Sequence, residues 1–201
     1  LPSLLGMDTG TPLSQPRLDP RLLVVCGSVN PITLAQLDRA EKAGFARLRL
    51  TPHQKLDAGY WEGERGQAEL VQIKGMLASK PYCIIETNDP GGNQPTADYA
   101  ASLGLDREAL RVRISGNLGS LVRFIFHSPS LGTLMLTGGD TLLQCMNRLG
   151  VKELEPICEL EKGVVLASFT HEGCKRTVIT KSGGFGKEDL LIGLAEHIAH
   201  D

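Results

Sequence analysis

Three segments of the chain share one pattern: an apolar run, a turn rich in small residues, and then apolar residues at helical spacing. The runs and their turns are "LLVVCGS" from Leu22, "GTLMLTGGD" from Gly132 and "RTVITKSGGFG" from Arg176. Strands that alternate with helices form a mostly parallel sheet with helices on both faces. We therefore predict an α/β fold in which the three Gly-rich strand-to-helix turns emerge at the carboxyl edge of the sheet.

The signals between these runs predict further elements. Asn30 is a favourable cap and Pro31 a favourable first residue for a helix that ends near Gly44. "FARLRL" and "YCIIETND" are predicted strands, and residues 67–79 and 106–127 are predicted helices, the second interrupted at "ISGN". We expect the acidic "KELEPICELEKG" to be a solvated connection and "DAGYWEGERG" to be a surface loop.

Composition restricts the class of protein. The 201 residues are 41% hydrophobic and 22% charged with a net charge of −2, which fits one globular domain and gives no indication of a nucleic-acid partner. No apolar run reaches the length of a membrane span, and the start lacks the pattern of a signal peptide. The five cysteines include no C-x-x-C pair, which argues against a zinc site or a disulfide framework and fits a reducing cytoplasm.

The first 20 residues differ in composition from the rest. They contain four prolines and few apolar clusters. We interpret residues 1–20 as a linker or irregular lead-in and residues 21–201 as the folded domain.

The three turns are suited to an anion. Each ends at the N-terminus of a helix, where free N–H groups and the helix dipole favour phosphate, and glycine lets the backbone approach a bound group closely. Neither common fingerprint is present. A Walker A loop would need glycine where Lys181 stands and Ser or Thr at Glu188, and a G-x-G-x-x-G motif from Gly184 would need glycine at Asp189.

Individual turn residues leave alternatives open. Asp140 or Thr141 can cap the following helix, or Asp140 can contact nucleotide hydroxyls or a phosphate-bound Mg²⁺. Lys181 either neutralises phosphate charge or is a solvated lysine at a strand end. Ser28 either donates its hydroxyl to a phosphate or is a simple turn residue.

The histidines give no metal site from the sequence. His197 and His200 lie three apart, but both fall in the last turn of a predicted helix, where histidine is favourable against the dipole. His53, His127 and His171 have no partner that the sequence identifies.

Taken together, "VVCGSVNPITLAQLDRA", "LMLTGGDT" and "ITKSGGFGKEDLL" resemble, in that order, the C-terminal nucleotide-binding domain of the four-carbon acid sugar kinases. The resemblance covers residues 22–192. It implies an ATP-dependent kinase that phosphorylates threonate, erythronate or 3-oxo-tetronates, with Mg²⁺. By position, it implies that the ATP-binding residues are Ser28, Gly138, Gly139, Asp140, Thr141, Lys181, Gly183 and Gly184.

The chain departs from the family pattern in one respect. The family's N-terminal domain binds the sugar acid and begins with "DD-x-T-G", whereas "MDTG" at residues 7–10 lacks the paired acids. The resemblance therefore implies a partner domain, in the same or a separate chain, that supplies the catalytic residues. It also implies that dimers form in the family. We expect this chain to bind ATP without phosphorylating a sugar acid by itself; the alternative is a non-catalytic nucleotide-binding regulatory module.

Overall fold

A computed structural model describes residues 16–200, which contain one seven-stranded sheet. Its strands lie in the order β2-β3-β1-β4-β7-β6-β5, and the first five of these run parallel. The predicted mostly parallel sheet is thereby confirmed. The strands are β1 Leu22–Cys26, β2 Ala46–Arg49, β3 Tyr82–Glu86, β4 Thr133–Thr137, β5 Glu155–Glu161, β6 Val164–His171 and β7 Cys174–Lys181.

Seven α-helices are described in the same range. The first begins as predicted, with Pro31 in its first turn and the Asn30 side chain accepting a hydrogen bond from the Ile32 N–H at 3.0 Å. The helices are α1 Pro31–Lys42, α2 Pro52–Leu56, α3 Glu64–Ser79, α4 Gln94–Ser102, α5 Arg107–Phe126, α6 Gly139–Arg148 and α7 Leu190–His200, with a 3₁₀ helix at Tyr60–Glu62. None of these helices is long and apolar enough to cross a membrane.

The sheet separates two hydrophobic cores because side chains alternate along each strand. On one face, Leu23 and Val25 of β1 join residues from α3, α5 and α6. On the other face, Leu22 and Val24 join residues from α1 and α7. Helices thus cover both faces, as predicted. Cys26 lies buried in β1, where burial raises the pKa of its thiol to about 11.

The acidic segment after α6 is not the solvated connection that we predicted. It contains β5, an antiparallel edge strand paired with β6. Ile157 and Leu160 are partly buried against the core, while the glutamates of the strand point outward. Exposed charge and two irregularities in register are typical of an edge strand that resists pairing with another chain.

The prediction that "ISGN" interrupts the helix is also wrong, because α5 continues through it. Tertiary contacts explain the difference. Asn117 donates to the carbonyls of Gln54 and Asp57, at 3.2 and 2.8 Å. Gly119, two residues later, lies against α6, where any Cβ would approach the Gln144 carbonyl oxygen to 2.8 Å.

Two other segments differ from expectation. Trp61 is fully buried and Tyr60 nearly so, which contradicts the predicted surface loop. The helix α4 was missed because "NQPTADYA" lacks a strong apolar period. Of the predicted lead-in, residues 1–15 lie outside the described range; Leu18 is buried against the α1 and α7 core.

We predict opposite effects from two alanine substitutions within α5. Gly116→Ala meets only the end of the Arg148 side chain at 3.9 Å, so it should raise the free energy of unfolding by about 0.5–1 kcal/mol through helix propensity. Gly119→Ala should lower it by about 1–3 kcal/mol because α5 and α6 must move apart. Urea denaturation measures both, and equal effects would contradict close backbone packing between α5 and α6.

Candidate functional site

The three Gly-rich turns lie side by side because their strands are neighbours in the sheet. The Gly27 N–H donates to the Thr137 carbonyl at 3.2 Å, and the Gly138 N–H donates to the Lys181 carbonyl at 3.3 Å. The hydrogen bonds of the sheet therefore continue past the ends of β1 and β4 into the turns. The edge predicted from the sequence exists, and it brings the predicted turn residues together.

Close contact between the turns requires glycine. A Cβ on Gly27 would overlap the Thr141 hydroxyl oxygen, and a Cβ on Gly183 would lie 3.1 Å from Ser28 Oγ. Gly138 has a φ of 103°, which other residues rarely adopt, and its Cβ would lie 3.6 Å from the Ser28 nitrogen. The turn after β1 is thus enclosed by the turns after β4 and β7.

The N-terminus of α6 carries no side-chain cap. Gly138 occupies the capping position, so no side-chain oxygen accepts from the first N–H groups of the helix. Asp140 is exposed and accepts a 2.6 Å hydrogen bond from Arg111 Nη1 instead of capping. Thr141 is buried beneath Gly27. The helix therefore presents free N–H donors and one carboxylate at the sheet edge.

Lys181 is not the solvated lysine that one interpretation of the sequence described. Its side chain is buried, and its Nζ donates to the Thr33 hydroxyl and the Ser182 carbonyl, each at 3.2 Å. Within residues 16–200, no carboxylate forms an ion pair with Lys181. Burial lowers the pKa of this ammonium group. A buried cation with neutral partners favours the arrival of an anion.

A second buried lysine provides the contrast. Lys55 donates to the Asp89 carboxylate, to the Thr96 hydroxyl and, at 3.0 Å, to the Thr87 carbonyl. Burial opposes ionisation of Asp89, but hydrogen bonds from Lys55 and Thr96 outweigh it and lower the pKa of that carboxyl. This pair is internally compensated and holds the loop after β3 against α4. Lys181, at the same edge, has no such compensation.

The loop after β3 reaches the site through Asn88, to which sequence reasoning gave no role. Its Nδ2 donates to the Ser28 carbonyl at 3.1 Å and to Glu86 Oε2 at 3.2 Å. Glu86 is fully buried and accepts from Arg47 Nε at 2.6 Å. The polar run "ETND" at the end of a buried strand was the available signal.

Two contacts orient Ser28 and the last turn. Ser28 Oγ accepts a hydrogen bond from the Asn30 N–H at 3.2 Å, which places the hydroxyl at the start of α1. Gln36, buried on α1, donates to the carbonyls of Phe185 and Lys187 at 3.0 and 2.9 Å. The turn after β7 is thereby fastened to α1. Sequence reasoning missed Gln36 because its partners lie about 150 residues away in the chain.

A cleft of about 470 Å³ opens beside the turns. It lies between the loop after β3, α5 and the start of α6, and its lining is mostly apolar. Residues that define its walls include Val29, Ala97, Leu110, Ile114, Asp140 and Thr141. Its volume falls within the range of small-molecule sites.

Known proteins are similar to this chain over most of its length. A family model described as the nucleotide-binding C-terminal domain matches residues 23–191. A D-threonate kinase from Salmonella typhimurium is 26% identical over 176 residues, which are 85% of this chain and 40% of that enzyme. A 3-oxo-isoapionate kinase from Paraburkholderia graminis is 24% identical over 190 residues, 90% of this chain and 40% of the enzyme. The chain thus spans about 40% of the length of these curated relatives.

Solved structures show the same fold. A DUF1537 protein from Bordetella bronchiseptica, crystallised with citrate as a domain-swapped dimer, superposes with a TM-score of 0.60 at 24% identity, over 89% of this chain and 39% of that one. A DUF1537 protein from Haemophilus influenzae gives a TM-score of 0.62 at 17% identity, over 89% and 40%. The family match, which spans most of the chain and all three turns, establishes that the protein belongs to the nucleotide-binding C-terminal domain family.

Proposed function

We propose that this domain binds ATP·Mg²⁺ at the carboxyl edge of its sheet, as the nucleotide half of a kinase for four-carbon sugar acids such as threonate, erythronate or 3-oxo-tetronates. The observation that carries the proposal is the buried Lys181 with neutral partners, beside the uncapped N-terminus of α6 and the Gly-rich turns after β1 and β7. A triphosphate supplies the negative charge that this arrangement lacks.

In this proposal the turns bind the phosphates of the nucleotide and the neighbouring cleft binds its base. The Gly183–Gly184 turn and the Ser28 hydroxyl face the phosphates, because here backbone and hydroxyl donors lie closest together. The apolar cleft along Ile114 and Leu110 takes the base, since its walls offer apolar surface of the right extent. Thr141 lines the cleft and contacts Gly27 of the first turn, so it fixes the position of the cleft relative to that turn.

Magnesium fits the donor set in one position. Mg²⁺ in nucleotide sites is held by one or two carboxylates together with phosphate oxygens and water. Glu86 and Asp89 are buried and paired with Arg47 and Lys55. Asp140 is exposed at the start of α6, and its partner Arg111 is exposed as well, so solvent and other ions reach this carboxylate. Asp140 would contribute a carboxylate to the ion, which would neutralise phosphate charge during transfer.

The acceptor side of the reaction is assigned to a partner domain. Phosphoryl transfer needs a group that orients the attacking hydroxyl, and the curated relatives are about 2.5 times as long as the part they share with this chain. Val29, Ile32 and Phe185 are exposed apolar side chains around the turns. They form a natural contact surface for the domain that carries the sugar acid.

We predict that Gly183→Val weakens ATP binding at least about tenfold, or about 1.4 kcal/mol. The new methyl groups would point at Ser28 Oγ, 3.1 Å from the position of the Cβ, and block approach to the phosphates. Isothermal titration calorimetry with ATP and MgCl₂ measures the effect. Gly75→Val, at an exposed position of α3 with open space around it, is the matched control and should bind like the original chain.

Absence of ATP binding by the original chain, in the presence of the partner domain, would refute the proposed function. Unchanged affinity in Gly183→Val would instead remove this turn from the site and leave it only the role of starting α7.

We predict that Asp140→Asn abolishes most of the enhancement of ATP affinity by Mg²⁺ and leaves metal-free ATP binding nearly unchanged. The matched control is Glu108→Gln, because Glu108 and Asp140 both form ion pairs with Arg111. Each variant removes one charged partner of that arginine, but only Asp140 lies at the turn. Titrations with and without EDTA separate the two effects; equal losses in both variants would assign Asp140 to holding Arg111.

A further inference from the structure

A cluster of metal-ligating side chains lies at the opposite edge of the sheet. His127 follows α5, and His171 and Glu172 lie where β6 turns into β7. Because β7 runs parallel to β4 and begins at Cys174, this cluster is at the amino edge, and the eight residues of β7, about 26 Å, separate it from the nucleotide turns. Each of the three side chains offers one ligand atom, and these atoms all lie within 4.8 Å of one another. Among residues 16–200, this is the group of histidine, cysteine and acidic side chains that could hold a metal ion.

The distances within the cluster match a transition-metal site. The two Nε2 atoms of His127 and His171 are 3.5 Å apart, and Glu172 Oε1 lies 3.9 and 4.0 Å from them. Two ligands at zinc distances and a tetrahedral angle are separated by about 3.4 Å. A point equidistant from all three atoms lies about 2.2 Å from each, which is close to Zn–N and Zn–O bond lengths.

Packing and turn geometry hold these groups in place. The Phe126 ring contacts both imidazoles edge to face, with centroids 5.6 Å from His127 and 5.1 Å from His171. Glu172 has a φ of 49° and Gly173 a φ of 74°, the pattern of a type I′ hairpin turn. Asn or Asp is the usual residue before glycine in that turn, because a positive φ is unfavourable for most other residues. Glu172 therefore adopts this backbone conformation at some cost in free energy.

From these observations we infer that His127, His171 and Glu172 bind a divalent transition-metal ion of the Zn²⁺ class. Two imidazoles and a carboxylate suit zinc rather than Mg²⁺ or Ca²⁺, which prefer oxygen ligands. Three protein ligands leave one position for water or another ligand. Arg123 and Arg148 line the same hollow of about 300 Å³, and their positive charges weaken the binding of a cation there.

An ion here would join the C-terminus of α5 to the β6–β7 turn. The inference does not depend on the proposed function, since no residue of the nucleotide edge takes part. Sequence reasoning assigned no metal site because His127 and His171 are separated by 44 positions and only the fold brings them together.

Calorimetric titration of the chain with ZnCl₂ tests the inference. We expect one ion per chain, no competition from millimolar MgCl₂, and at least a tenfold weaker affinity in His127→Ala and in His171→Ala. His53→Ala is the matched control, because His53 pairs only with Asp57 and contacts Tyr99 elsewhere on the surface, and its affinity should be unchanged.

A measurement on the original chain covers the case in which a variant fails to fold. Zn²⁺ should shift the ring resonances of His127 and His171 in NMR spectra and leave those of His53 and His200 in place. Zinc binding that persists in both histidine variants but is lost in Cys174→Ser would overturn the inference, since Cys174 is exposed and pairs with His171 in the hairpin. Absence of zinc binding at micromolar concentrations would overturn it as well.

Discussion

Close approach between the three turns, which glycines at their contact points permit, is the constraint on which the site depends. Gly27 leaves room for Thr141, Gly138 adopts a backbone conformation that places it beside Ser28, and Gly183 lets the last turn approach the first. Each of these contacts joins turns that are separated by more than 100 residues in the chain. The sheet order brings them together, because β1, β4 and β7 are consecutive neighbours.

The two buried lysines at this edge differ in whether a carboxylate neutralises their charge, and this difference separates a structural lysine from a candidate binding residue. Lys55 forms an ion pair with Asp89, which stabilises the loop after β3 and leaves no uncompensated charge for a ligand. Lys181 has only neutral oxygen partners and a pKa lowered by burial. An anion bound nearby would favour its charged form, which links the energetics of the last turn to the ligand.

Sequence reasoning predicted the parallel sheet, the capped helix α1 and the three turns, because these depend on local signals such as Asn30-Pro31 and glycine after an apolar strand. It failed where long-range contacts override local preference. The residues of "ISGN" favour a break in the helix, yet hydrogen bonds from Asn117 to Gln54 and Asp57, and close packing of Gly119 on α6, keep α5 continuous. Asn88, Gln36 and Arg111 were missed for the same reason, since their partners lie far away in the chain.

The central claim is that three turns form one nucleotide site, and amide chemical-shift mapping tests it most directly. Titration of the isotope-labelled chain with ATP and MgCl₂ should shift the amide signals of Ser28, Gly139, Asp140, Gly183 and Gly184 together, with one common dissociation constant. The amides of the β6–β7 turn at Glu172 and Gly173 should stay in place. Shifts confined to one turn, or different dissociation constants for different turns, would contradict the account.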